Sequence, residues 1–145
     1  VQARAGNLLE LPPFERACLI VKYYETLHIN QGNVIGYGHV IQPGEPFRNN
    51  LLLTEKQADA LMRHDLKKFC AIFREYGSDS LLLGCLSYNV GPQRVLKSNM
   101  LRKLRSGDRD IFTDYLSFCH YQGKMHKGIR RRRYVEYKML YNSCL

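Results

Sequence analysis

Carboxylates are scarce in this chain. Its 145 residues carry thirteen Asp and Glu against twenty-two Lys and Arg, a formal charge of +9. A field of that sign favours polyanions, whether nucleic acid, anionic lipid or an anionic cell wall. Four of the cations are consecutive, Arg130 to Arg133, which reads as a solvated basic helix face. No apolar run approaches the ~20 residues that span a bilayer. No basic segment followed by an apolar one opens the chain, and VQARAGN reads as the end left by signal cleavage or as an arbitrary boundary. No two cysteines are spaced C-x-x-C, which argues against zinc-knuckle and dithiol redox chemistry. The five cysteines are odd in number. Cys18, Cys70, Cys85 and Cys119 lie in apolar stretches and are expected as buried thiols rather than a disulfide framework, with Cys144 left over. Internal repeats and low-complexity segments are lacking, and the length suits one domain with a real core.

The shortage of acid is most pointed after Glu25, since none lies between it and Glu45. The segment LPPFERACLIVKYYETLH (11–28) reads as a helix, with prolines suited to its first turn. Phe14, Cys18 and Val21 mark one face, and Glu25 falls on it one turn later. GNVIGYGHVIQPGEPF (32–47) alternates glycine and proline with short β-branched runs, as in a hairpin or three-stranded ribbon. The stretch from Leu53 to Gly77 is the clearest helix. Thr54 and Gln57 form a capping-box pattern, Ala58, Leu61, Met62, Leu66, Phe69, Cys70 and Phe73 give an apolar face, and Gly77 ends it. SDSLLLGCLSYNVG, with Ser78 as a possible cap, is apolar nearly all round and predicts a buried central helix with Asn89 near its end. Short helices follow at PQRVL, SNMLRKLRSG with Ser98 as cap, and DRDIFTDYLSFCHY. QGKMHKG reads as a turn before a last helix IRRRRYVEYKMLYN. The expected class is α+β, mostly helical, with one small β element after the first helix. Residues 1–11 are expected as an extended N-terminal arm and 12–145 as a single domain.

With those elements placed, the motifs resemble phage-type lysozymes, glycoside hydrolase family 24. Glu25 closing the first helix resembles the family's catalytic glutamate. Ile35-Gly36-Tyr37-Gly38-His39 resembles its IGxGH strand-turn, LTEKQADALMRHDL its following helix, and LSYNVG (86–91) the end of its central helix. SNMLRKLRSGD and GKMHKGIRRRR then fall in the family's order, so the likeness covers roughly residues 12–141. The resemblance implies a small lobe over about residues 28–53, a larger helical lobe, and a cleft between them. It implies hydrolysis of the β-1,4 bond between N-acetylmuramic acid and N-acetylglucosamine, with no metal or cofactor. The chain is expected to act as a monomer on peptidoglycan, secreted, periplasmic or phage-delivered, with Arg130, Arg131, Arg132 and Arg133 facing anionic wall polymers.

Glycoside hydrolysis usually employs an acid on the leaving oxygen and a second carboxylate. Glu25 fits the acid, because an apolar face disfavours the charged form and keeps the proton available. The competing reading is a glutamate paired with a nearby Lys or Arg. In the family, an Asp and a Thr between the glutamate and the turn position the attacking water. Here TLHINQGNV holds no acid, and Val34 stands at the threonine's place. Three explanations stay open: His28, Asn30 or Gln31 orients the water; Glu45 swings in; or the protein is slow or inactive. His28 stands at i+3 from Glu25 and would meet it if the helix persists. By resemblance, His39 pairs with Asp65 as scaffold and Asn89 binds sugar. Tyr37 and Ser87, with Tyr88 behind them, are further cleft candidates. A binding module without catalysis is the alternative function. Nucleic-acid binding ranks below both, since no helix-turn-helix, zinc or RNA-binding signature accompanies the charge.

Overall fold

Helix α3 (Ser80–Val90) is apolar nearly all round because two cores meet on it. Leu82, Leu83 and Leu86 face one core with Phe73, Val95, Met100, Ile111 and Tyr115. Cys85 faces the other, built from Ala17, Cys18, Val21, Tyr37, Met62 and Leu66. The structure is a computed structural model and describes residues 8–28, 32–48 and 51–142. The first seven residues of the expected arm, Asn30, Gln31 and Cys144 lie outside the described residues. Leu8–Glu10 form a short 3₁₀ turn rather than extended chain.

Helix α1 (Pro13–Glu25) starts at the prolines and buries Ala17, Cys18, Ile20 and Val21. It ends at Glu25, three residues short of the sequence expectation. Thr26 leaves the helix with φ 53 and ψ 146, although its N–H still reaches the Lys22 carbonyl. Strands β1 (Val34–Ile35) and β2 (His39–Val40) follow as an antiparallel pair, with Val34 opposite Val40 and Ile35 opposite His39. Among the described residues this element is a hairpin, not a three-stranded ribbon.

Helix α2 (Glu55–Ile72) carries both halves of the expected capping box at Thr54 and Gln57. Ala58, Met62 and Leu66, four apart, form its buried stripe. α2 and α3 touch at Gly84, where an added Cβ would fall 2.5 Å from Cys70 Sγ and 2.8 Å from its Cα. Only a glycine lets the two backbones approach that closely. A 3₁₀ segment, Arg74–Asp79, then breaks at Gly77, φ 59. Asp79, not Ser78, occupies the cap position of α3. Its carboxylate is taken by Arg109 at 2.6 and 3.0 Å instead of by backbone N–H groups.

Helices α4 (Pro92–Leu96), α5 (Asn99–Arg105, capped by Ser98) and α6 (Phe112–Leu116) wrap the first core. The α6 helix is shorter than the sequence pattern indicates. The residues after it form a second hairpin, β3 (His120–Tyr121) with β4 (Lys124–Met125), where the sequence pattern predicts helix through Tyr121 and then a turn. Helix α7 (Lys127–Leu140) starts at His126, whose Nδ1 accepts from the Ile129 N–H, and packs on α1, α3 and α6. Cys18, Cys85 and Cys119 are buried and Cys70 is half-buried, all as free thiols. Burial pushes the Cys18 and Cys70 thiols up to about 11, so both stay protonated at neutral pH. No helix among the described residues is long and apolar enough to cross a membrane. The architecture is mostly helical with small antiparallel hairpins, the expected class.

Candidate active site

The C-terminal end of α1 meets the glycine turn of the first hairpin. Gly38 lies directly on the Glu25 carboxylate: an added Cβ would stand 2.8 Å from Oε2. Gly38 also has φ 84, a conformation that side chains other than glycine rarely adopt. Both the space and the backbone therefore require a residue without a Cβ. The turn is anchored on three sides. The His28 N–H donates to the Gly36 carbonyl at 3.0 Å. The Tyr88 hydroxyl donates to the Tyr37 carbonyl at 2.5 Å. His39 is clamped by its Nδ1, 2.6 Å from Asp65 Oδ2.

The His39–Asp65 contact is the scaffold pair expected from the sequence, and it is larger than expected. Glu45 lies on the other ring nitrogen, with Oε1 and Oε2 at 2.9 and 3.1 Å from Nε2. Burial disfavours the imidazolium, but hydrogen bonds to Asp65 and Glu45 outweigh it and raise the His39 pKa. Glu45 is lowered, first by the Gln42 N–H and then by His39. This corrects the idea that Glu45 swings into the reaction: it is the second arm of the clamp.

His28 does not meet Glu25 along a continuing helix, because the helix has ended and His28 has φ 61. Its Nε2 stands 2.6 Å from the Leu53 carbonyl, so that nitrogen carries the proton. Nδ1 is buried and without a partner.

Helix α7 supplies what the sequence reading misplaced. Arg132 and Arg133 are buried, while Arg130 and Arg131 are exposed. The Arg132 guanidinium donates to Glu25 Oε1 at 2.8 Å and to Glu136 Oε2 at 3.2 Å. It also lies over the Tyr24 ring, 5.4 Å from the centroid. Glu136 is fully buried, and Tyr115 donates to its Oε1 at 2.9 Å. Arg133 pairs with the same carboxylate at 3.3 Å and donates to Asn89 Oδ1 at 2.6 Å. Burial opposes the Arg132 charge, but Glu136 and then Glu25 outweigh it and hold it protonated. Half of the run expected to face wall polymers is thus interior. Arg132, Arg133 and Glu136 were missed as site residues. The available signal was Glu136 itself, a carboxylate one turn after two arginines on the packed side of the helix.

Asn89, at the end of α3, is exposed. Arg133 donates only, so the Asn89 oxygen is committed inward and its amide N–H groups remain to meet a ligand. Ser87 is buried, 1% exposed, with no partner for its hydroxyl, so it presents nothing to a cleft. The Tyr37 ring packs in the second core, its hydroxyl 3.4 Å from Glu55. Tyr37 borders an apolar groove of about 960 Å³ beside Tyr23, Tyr24 and Leu27. Gly38 borders a separate pocket of about 110 Å³ with Tyr88 and Phe69. The turn is the wall between them. Val34 is a paired strand residue, and its side chain offers no hydrogen bond to a water.

A sequence model of the phage lysozyme family matches residues 21–136. Two solved structures share the fold. One is an endolysin from Escherichia coli O157:H7 phage FAHEc1, with TM-score 0.73, 19% identity, and coverage of 92% of this chain and 95% of that one. The other is the muramidase domain of SpmX from Asticaccaulis excentricus, with TM-score 0.67, 20% identity, and coverage of 87% of this chain and 95% of that one. No curated protein sequence matches significantly.

Proposed function

This chain belongs to the phage lysozyme family, a family of peptidoglycan hydrolases, and on that premise we propose that it is a muramidase. It cleaves the β-1,4 bond between N-acetylmuramic acid and N-acetylglucosamine, with Glu25 protonating the leaving oxygen. The observation that carries this reading is the Glu25 carboxylate set between Gly38 and Arg132, at the junction of hairpin and helices. Asn89, its oxygen fixed by Arg133, donates to the sugar. His39 with Asp65 and Glu45 holds the turn in place. The site of action is the cell wall, reached by secretion or phage delivery, and exposed Arg130 and Arg131 meet its anionic polymers.

The test is clearing of a purified peptidoglycan suspension by the wild type beside Glu25→Gln. A general acid contributes about 10²–10⁴-fold, and a loss of that order is expected. Clearing that survives the substitution removes Glu25 from the mechanism. One observation favours a second reading, a wall-binding module without catalysis: the Glu25 ion pair with Arg132 is also a purely structural arrangement. Sedimentation with wall material and no clearing by the wild type would select that reading.

A further inference from the structure

We infer that the outer face of α7, together with the flanks of α1 and α6, docks on a bilayer of anionic phospholipid. The inference goes beyond the muramidase reading and does not depend on it. Two apolar grooves lie side by side on this face, and Arg131 borders both. The larger, about 960 Å³, runs along α1 past Leu19, Tyr23 and Leu27 to Val135 of α7. The smaller, about 560 Å³, lies between α6 and α7 and is lined by Phe112, Leu116, Met125 and Tyr134. Their apolar rims are open to water. Tyr23 is 75% exposed, and Leu19, Phe112, Met125 and Tyr134 are each more than a third exposed. Leu19 and Tyr23, four apart, share one face of α1. Phe112 and Tyr134 meet edge to face, 6.4 Å between centroids, and join α6 to α7. Apolar side chains left exposed over a contiguous face mark a contact surface.

The charge on this face has one sign. Lys127, Arg130, Arg131 and Lys138 are the exposed charged residues of α7, and the helix's single acid, Glu136, is buried. Lys138 lies over the Tyr134 ring, 5.6 Å from its centroid. Among the described residues that line the two grooves, none is acidic. Lys22, at the edge of the larger groove, is already paired with Glu55 and Asp59 of α2. The exposed acids Glu10 and Asp110 stand two residues from Leu8 and Phe112 and line neither groove. The field over the grooves is therefore set by the α7 cations.

Cations around apolar grooves select the occupant. A wall polyanion satisfies the charges but has no apolar part for the grooves. A nucleic acid could stack on the rings, but Leu19, Leu27, Leu116, Met125 and Val135 offer its bases nothing. A second copy of this chain, docked through the same face, would set the four cations against themselves. An anionic phospholipid carries both parts, a phosphate for the cations and acyl carbon for the grooves. Tyrosine suits that boundary, because its ring body is apolar and its tip is polar. The docking is peripheral, with the cations at the headgroups and the rings at the interface. The larger groove lies on the Tyr37 side of the hairpin turn and the Gly38 pocket on the other, so a bilayer on the groove leaves that pocket uncovered.

The experiment is flotation of the full chain with phosphatidylcholine vesicles, with and without phosphatidylglycerol. Binding to the vesicles that contain phosphatidylglycerol, and not to the others, is expected. Each cation near an anionic surface is worth about fivefold, so Arg130→Gln with Arg131→Gln should lower the partition about 25-fold. Tyr23→Ser with Tyr134→Ser keeps the net charge and should lower it about tenfold. All four side chains are exposed, so the melting midpoint of both double variants should stay near that of the wild type. Failure to float with either vesicle overturns the inference, and so does equal binding to phosphatidylcholine alone. Full binding by the tyrosine variant leaves only a charge patch, such as a wall polymer or a nucleic acid would meet, and overturns it as well. A dimer that the tyrosine variant dissolves assigns the grooves to a second copy, with the same consequence. Clearing of peptidoglycan is read separately. A chain that floats without clearing keeps this inference and loses the muramidase reading, and one that clears without floating does the reverse.

Discussion

Two charge clusters hold the site, and they differ in kind. The clamp on the hairpin is an imidazole between Asp65 and Glu45, partly open to water and able to titrate. The cluster under Glu25 joins two guanidinium groups to Glu136, all closed off from solvent. The first is an adjustable fastening, strong only while its ring is charged. The second is permanently charged, because arginine does not lose its proton in a protein. Its members have no alternative partner in water, so the damage from breaking it is large even if its net contribution is small. The two clusters also sit in different places: the permanent one holds Glu25 at the end of α1, and the titrating one holds the hairpin turn.

The largest expected effect is on the buried cluster. Glu136→Gln leaves Arg133 without a carboxylate partner in the interior and Arg132 with Glu25 alone, with a loss of about 3–5 kcal/mol in denaturant unfolding. A loss under about 1 kcal/mol would erase the distinction drawn between the clusters. Asp65→Asn should cost less, about 1–3 kcal/mol, since His39 keeps Glu45. Gly38→Ala should cost about 1–2 kcal/mol for the left-handed backbone. It should also reduce clearing sharply, because the methyl group meets the Glu25 carboxylate; unchanged clearing would show that the turn does not hold Glu25 in place.

A subtler difference lies in pH. The folded-state pKa of His39 is raised, so its contribution is complete below the ordinary value of 6.5 and is lost as pH rises through the raised value. That of Glu45 is lowered, so its contribution is complete above 4.5 and is lost as pH falls through the lowered value. The clamp is strongest between these two ordinary values. The melting midpoint should fall on the alkaline side, and His39→Gln should flatten that limb. An unchanged alkaline limb in His39→Gln would show that the ring carries no charge in the fold. Smallest of all should be Glu45→Gln, which weakens the acid limb and leaves clearing of peptidoglycan near that of the wild type.

Local signals made much of this legible. The capping box at Thr54, the Ser98 cap and the apolar surround of α3 depend on residues within a few positions of one another. Glu25, Gly38 and the His39–Asp65 pair followed from motif order. The end of α1 was not legible, because Thr26 and Leu27 extend a helical pattern that the turn contact of His28 with Gly36 overrides. The second hairpin was missed because its four strand residues are all exposed and leave no alternation to read.

The sequence by itself determined that one carboxylate follows an apolar helix face, that a glycine turn comes after it, and that no acid fills the gap between Glu25 and Glu45. Those are properties of spacing and composition. Which arginines of Arg130–Arg133 belong to the surface and which to the site was decided only by the tertiary structure. Four consecutive cations on a helix point in four directions about 100° apart, and nothing in their identity distinguishes them. The packing of α7 across α1 and α3 does. It turns Arg132 to Glu25 and Arg133 to Asn89, with Glu136 between them, and leaves Arg130 and Arg131 to water.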